Sequence, residues 1–289
     1  MQIFRYTAGL QNHIKGVKKT GRSIGFVPTM GALHKGHLSL LQTSRNNSGY
    51  TVVSIFVNPT QFNNPEDFSN YPVQLDKDFA LLRDAGCDAV FVPTADEIYT
   101  AGTNTLPHYE LGFLENIMEG KFRFGHFQGV CQVVDRLLDI VIPDYLFLGQ
   151  KDLQQCKVIE KLLEIKGKKE KVKLIICPTV REQDGLAMSS RNQRLTESER
   201  MKSVAIFNVL SELKNIYGKG SLNENIDKCY KELDEAGIIV EYLELVNTDT
   251  LEILNEWPDP DSVISSSLCI AAYLGKIRLI DNMILHSIK

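Results

Sequence analysis

Apolar positions recur along the first part of this chain in two rhythms, and their alternation is the primary structural signal. Short apolar or β-branched runs at residues 23–27, 50–57, 89–92, 145–148 and 172–177 read as buried strands. Between them lie stretches with helical period. These cover residues 9–19, a segment starting at Leu38, residues 73–84, residues 127–142, and a segment from the 150s through Ile165. In residues 127–142 the apolar positions are Val130, Val133, Val134, Leu137, Leu138 and Val141, which leaves Asp135 and Asp139 expected to face solvent. Pro28 is expected to close the first strand, and Pro143 the helix before the fourth. Strand and helix in alternation predict an α/β fold with a parallel sheet.

The rhythm changes near Gly185. Two amphipathic helices, about 197–217 and 222–236, precede strands around 238–245, 263–273 and 278–285, the last two joined by a hairpin at Gly275-Lys276. Thr196 and Glu199 form a capping box at the first of these helices. The expected organisation is therefore a parallel-sheet domain over residues 1–184 and a smaller α+β unit over 185–289, read as a lid or dimer partner.

Polar residues collect where strands end, the edge at which parallel α/β sheets bind ligands. After the first strand comes VPTMGALHKGH: Gly31 marks a tight turn, and His34 and His37 stand three apart at a helix start, so they share a face. Gly36 removes a side chain between them. Free N–H groups, the positive helix end and two imidazoles make an anion cradle. The second strand runs into Asn58-Pro59-Thr60-Gln61-Phe62, whose Asn58 and Gln61 are candidate substrate contacts. Gly149-Gln150-Lys151-Asp152 repeats the order strand end, glycine, charge, helix start. After the last strand of the series, Ser189, Ser190 and Arg191 give hydroxyl and guanidinium donors suited to a polyphosphate. Residues 95–126 are glycine-bearing and irregular, as a substrate-covering insertion would be, while Arg123 and His126 within them read as ordinary surface residues. The charged run 166–171 reads as a solvated turn.

Composition narrows the classes. At 289 residues and 43% apolar content, about two domains and a substantial core are expected. A net charge of −4 provides no basic field for nucleic acid or an anionic membrane. The six cysteines are dispersed, without a C-x-x-C pair or zinc spacing to histidine, so buried reduced thiols are expected. The N-terminus lacks an apolar core of signal-peptide length, and the longest apolar run, 263–274, is too short to span a bilayer. A cytoplasmic protein is expected.

Taken together and in this order, VPTMGALHKGH, SIFVNPTQF, GQKDLQQ and DGLAMSSRN resemble the pantoate–β-alanine ligase (pantothenate synthetase) family. That resemblance implies a Rossmann-like domain of the nucleotidylyltransferase group with an HxGH motif, ATP as substrate, Mg²⁺ dependence and a homodimer. It implies ATP contacts from Met30, Gly31, His34, His37, Gly149, Lys151, Asp152, Val180 (toward adenine), Met188, Ser189, Ser190 and Arg191. Asn58, Gln61 and Gln155 would serve pantoate and β-alanine, and His34, His37, Lys151 and Arg191 would carry the catalytic charge. The implied chemistry is pantothenate synthesis through pantoyl-adenylate, with another HxGH-type nucleotidyltransferase as the alternative. The chain departs from the family in two places. It reads RFGHFQGV where many members have RPGHFRGV, and GQKD where GEKD is commoner.

Overall fold

Pairing between neighbouring strands decides the architecture. The computed structural model describes residues 1–103, 105–259 and 263–286. Among the described residues one sheet is built from β1 (Gln2–Phe4), β2 (Ile24–Thr29), β3 (Tyr50–Ile55), β4 (Ala89–Phe91), β5 (Tyr145–Gly149) and β6 (Lys173–Cys177). All its pairs are parallel, in the order β1-β4-β3-β2-β5-β6. The order reverses beside β2, which places a topological switch point at the β2 and β5 ends. A second, antiparallel sheet joins β7 (Ile238–Asn247), β8 (Ser266–Leu274) and β9 (Ile277–His286) in sequence order. The fold is the expected one: a Rossmann-like parallel sheet with a smaller α+β part. Among the described residues no helix is long and apolar enough to cross a membrane.

The described residues fall into two compact units. The first holds Met1–Asn116, Arg123–Gly149 and Val158–Pro178; the second holds Ile117–Phe122, Gln150–Lys157 and Thr179–Lys289. The main body of the second unit thus starts at Thr179, and two short segments from earlier in the chain join it. In the first unit Val27, Val53, Val90 and Phe147 of the sheet pack with Leu40, Leu41 and Leu82 of its helices. In the second, Leu210, Leu213 and Leu233 of helices Val204–Asn215 and Leu222–Glu235 pack with Leu243, Leu268 and Ile270 of the antiparallel sheet.

Several expectations need correction. The edge strand β1 was not anticipated, being only three residues long. Pro28 does not close β2, which runs on through Thr29. Thr29 O accepts from Phe56 N, so alternate positions turn their backbone to β3 and Pro28 turns toward β5, whose pairing has already ended at Phe26. A missing N–H costs nothing there. The helix 197–217 is two helices, Glu197–Lys202 and Val204–Asn215, divided at the buried Ser203. The stretch 95–126 contains short helical turns at Ala95–Ile98, Gly112–Glu115 and Met118–Phe122, and its residue 104 lies outside the described residues. The hairpin turn at Gly275-Lys276 and the Thr196/Glu199 capping box stand where expected. All six cysteines are buried thiols, and burial pushes that of Cys87 up to about 12.

Asp135 does not face solvent. It is buried on helix His126–Val141, accepts from Tyr109 Oη at 2.8 Å, and pairs with Lys166 at 2.9 Å and Lys168 at 3.4 Å. The charged turn 166–171 is therefore partly a counter-charge for this carboxylate. Helical period counts only the apolar face and is blind to a polar partner arriving on the other. Burial alone would raise the Asp135 pKa, but the hydrogen bonds from Lys166 and Tyr109 and the nearby ammonium charges bring it below the ordinary value. A depressed folded-state pKa stabilises the fold above the unfolded value, about 3.9, and that contribution fades as pH falls through the folded value. Asp135→Asn should therefore lower stability at pH 7, with the gap to wild type narrowing below about pH 4; urea melts across this range measure it.

Candidate active site

The first unit's polar residues are assembled around the turn that leaves β2. Gly31 and Ala32 both have positive φ, +83° and +49°. The turn is held by side chains: Thr29 Oγ1 accepts from Gly31 N, and the buried Asp78 carboxylate accepts from Ala32 N at 3.0 Å and Leu33 N at 2.8 Å. The helix starts earlier than its apolar pattern suggested, spanning Lys35–Asn47 with His34 as its N-cap. His34 Nδ1 accepts from Gly36 N, and His37 Nδ1 accepts from His34 N, a capping box made by two imidazoles. Their ring centroids are 4.0 Å apart. Because each Nδ1 is an acceptor, the neutral tautomer carries its proton on Nε2, so each ring has an Nε2–H donor at the helix N-terminus.

Met30, Asn58 and Gln61 are brought together beside this turn. Gln61 Nε2 donates to Met30 Sδ at 3.0 Å, and Asn58 Nδ2 donates to Gln61 Oε1 and to Gly129 O. Asn58 Oδ1 accepts from Tyr99 Oη at 2.7 Å and Thr60 Oγ1 at 3.1 Å. Asn58 is therefore bonded to protein groups on both ends of its amide, and so is Gln61, through Asn58 and Met30. Gln61 is the member of the pair next to Met30. His126, expected at the surface, is buried and donates from Nδ1 to Gln61 O at 2.8 Å, while Arg123 donates to its Nε2. An apolar cavity of about 270 Å³ opens at the same sheet edge, with Met30, Phe56, Pro59, Val92 and Asp78 in its lining.

Gly149 ends β5 in the first unit, and the second unit holds the remaining candidates. Lys151 and Asp152 form a 3₁₀ turn with Gln150 and are ion-paired at 3.6 Å. The helix Leu153–Ile165 follows directly, with Gln155 half-buried in its first turn. Gln154 beside it is buried, accepting from Glu119 N and donating to Ile117 O. Met188 N donates to Val180 O, so those two residues face each other across a small antiparallel loop closed by the Arg181–Ala187 bridge. Ser189 Oγ caps the 3₁₀ segment Ser190–Arg194 by accepting from Arg191 N, with Ser190 buried.

The family profile described as Pantoate-beta-alanine ligase matches residues 2–284. The chain is 41% identical to a pantothenate synthetase of Cytophaga hutchinsonii, covering 96% of each chain. It is 43% identical to that of Acetivibrio thermocellus, covering 99% of this chain and all of the relative. The chain belongs to the pantoate–β-alanine ligase family. Its reaction is the ATP-dependent joining of pantoate to β-alanine. A crystal structure of the Thermus thermophilus pantothenate synthetase superposes with TM-score 0.89 at 36% identity, covering 99% of this chain and 100% of that one. The Francisella tularensis ligase, solved with β-γ ATP and β-alanine, superposes with TM-score 0.82 at 34% identity over 99% of this chain and 98% of that one.

Within this ligase family the RFGHFQGV departure is absorbed locally. Phe124, at the family's proline position, is exposed, and Gln128, at its arginine position, bonds Tyr109 N and O and Glu115 Oε1. Residues missed by sequence reading are those whose role is to hold others: Asp78, Tyr99, His126, Gln154 and Gly129. Only Gly129 left a signal, a glycine inside an otherwise periodic helix. A Cβ there would lie 2.2 Å from Thr60 O, so the helix can approach the Asn58–Gln61 loop only as glycine. Gly129→Ala should therefore destabilise the fold by about 1–3 kcal/mol and move Gln61. A lowered urea midpoint together with a raised KM for the acid substrate would show both effects.

Proposed function

We propose that this ligase works through a pantoyl-adenylate, with the residues of its two units in the roles the family resemblance implies. The pantoate carboxylate attacks the α-phosphorus of ATP, the α–β phosphoanhydride bond breaks, and pyrophosphate leaves. The amine of β-alanine, having lost a proton, then attacks the acyl carbon and expels AMP. No enzyme nucleophile is needed, and the buried thiols, with their pKa values raised at Cys87 and Cys229 to about 12, suit none.

The observation that carries this reading is the imidazole capping box. It presents the His34 and His37 Nε2–H groups beside the positive end of a helix, an arrangement built to meet negative charge. Catalysis is then positioning and charge stabilisation on the reacting phosphate and leaving pyrophosphate. Met30 and Gly31 line the approach from the same turn, and Asn58 and Gln61 serve pantoate and β-alanine. In the second unit Lys151, Asp152, Met188, Ser189, Ser190 and Arg191 serve the phosphates, Val180 the adenine and Gln155 pantoate, while Gly149, at the end of β5 in the first unit, leaves open space where a Cβ would stand.

Among the described residues no group of three or more His, Cys, Asp or Glu side chains could hold a metal ion. The Mg²⁺ ion that the resemblance implies would find a hard carboxylate donor at Asp152, beside Lys151. Such an ion neutralises phosphate charge. The resemblance also implies a homodimer, which sedimentation would test.

Pyrophosphate should appear from ATP with pantoate alone, and AMP only on adding β-alanine; AMP release without the amine would favour a plain nucleotidyltransferase. His37→Ala should lower adenylate formation on the order of 10²–10³-fold, read as pyrophosphate release. Gln155→Ala should raise the KM for pantoate far more than that for ATP, and equal losses on both would count against its assignment.

A further inference from the structure

In the second unit, two neighbouring residues of β9 hold both of the loops to which phosphate contacts are assigned. Asp281 and Asn282 are buried, at 4% and 2% exposure, in a strand with no neighbour on its outer side in this sheet. Arg181 donates to Asp281 through both terminal nitrogens, at 2.6 and 3.0 Å, and also to Asn282 O and Gly185 O. Asn282 N in turn donates to Asp281 Oδ1. The Arg181 fork thus ties the loop leading to Ser189–Arg191 to this strand and holds the Asn282 backbone still.

The Asn282 side chain reaches the other loop. Its Nδ2 donates to Gln150 O at 2.7 Å and Lys151 O at 2.9 Å, and its Oδ1 accepts from Gln150 Nε2 at 3.1 Å. Every polar atom of that amide is used, and the direction of each bond is dictated. Two carbonyls require the nitrogen, so the oxygen must face residue 150, which must then be a donor. Glutamine meets that requirement and an ionised glutamate does not.

We propose that Asn282 is the positioning residue for the Lys151 turn and that Gln150 is matched to it as an amide partner. The proposal rests on the assignment of Lys151 to ATP. Gln150→Glu would place a carboxylate against Asn282 Oδ1, and the amide cannot turn over without abandoning both carbonyls. Substituting Asn282→Ala removes all three bonds.

ATP affinity measured by calorimetry on the full chain, with KM values for ATP and pantoate from pyrophosphate release, decides the matter. Both Gln150→Glu and Asn282→Ala should weaken ATP about tenfold while leaving the KM for pantoate within about twofold. The double variant should be no weaker than Asn282→Ala alone, because the clash needs both partners. Should Asn282→Ala fail to fold, Gln150→Ala provides the comparison, losing less than Gln150→Glu because it removes a bond without adding a repulsion. Additive losses, equal losses on both substrates, or lowered melting with unchanged ATP affinity overturn the proposal. Unchanged ATP affinity in Lys151→Ala overturns the Lys151 assignment and this proposal with it, whereas weakened ATP in Lys151→Ala with unaffected Gln150→Glu and Asn282→Ala overturns this proposal alone.

Discussion

Two successive left-handed residues after β2 are the constraint on which the first unit's chemistry depends. Gly31 adopts that conformation freely, but Ala32 does so at a cost of about 1–2 kcal/mol. The cost is offset by the Asp78 carboxylate, which accepts from the N–H groups of Ala32 and Leu33. Burial raises the Asp78 pKa and those two hydrogen bonds oppose the rise, so the group sits where desolvation and backbone capture are in tension. Reversing the chain this sharply is what lets the next helix begin at Lys35, with its N-terminal N–H groups at the sheet's C-terminal edge. His34 and His37 then cap the helix through Nδ1, which puts the proton of each neutral ring on Nε2. Helix start, tautomer and donor direction all follow from one turn.

Polar atoms play a comparable part in the second unit, in the setting of register. Arg278 is clamped between Glu119 at 2.7–2.8 Å and Glu241 at 2.6–2.8 Å, while Tyr242 Oη donates to Glu119. Glu119 lies in a segment that precedes this unit's main body by some sixty residues along the chain. Buried charges of this kind add little net stability once desolvation is counted, but removing one partner alone is costly. Their geometric demand is strict, and here it selects one placement of Met118–Phe122 on the sheet. Gln154, held by Glu119 N and Ile117 O, passes that placement on to the helix start that carries Gln155. The Arg181, Asp281 and Asn282 bonds do the same for the turn at Lys151.

What was legible beforehand had a periodic or local cause. Alternating strands and helices, the helix stop before Pro143, the Thr196 capping box and the Gly275 hairpin each depend on a few adjacent residues, so they can be read without knowing what lies nearby in space. The HxGH, NPTQF, GQKD and MSSRN stretches were visible for the same reason: each packs its donors into a short run. Pro28 misled because its tolerance depends on where β5 stops pairing, and Asp135 because its partners, Tyr109 and Lys166, are 26 and 31 positions away. Nothing local reveals that Tyr99 and Gly129 occupy both ends of the Asn58 amide.

By itself the sequence determined the fold class, the order of the elements, and the chemical character of the loops at strand ends, all of which follow from side-chain periodicity and from residue types with only one comfortable use. Tertiary structure decided which polar residues hold others in place and in which direction each donor points. It buried His126 and Asp135, engaged both ends of the Asn58 and Asn282 amides, directed the imidazole protons to Nε2, and drew residues 117–122 and 150–157 into the second unit. The reason is that a hydrogen bond has direction and a partner. Those properties are settled only when distant segments meet, whereas burying an apolar face asks merely that some other apolar surface be there.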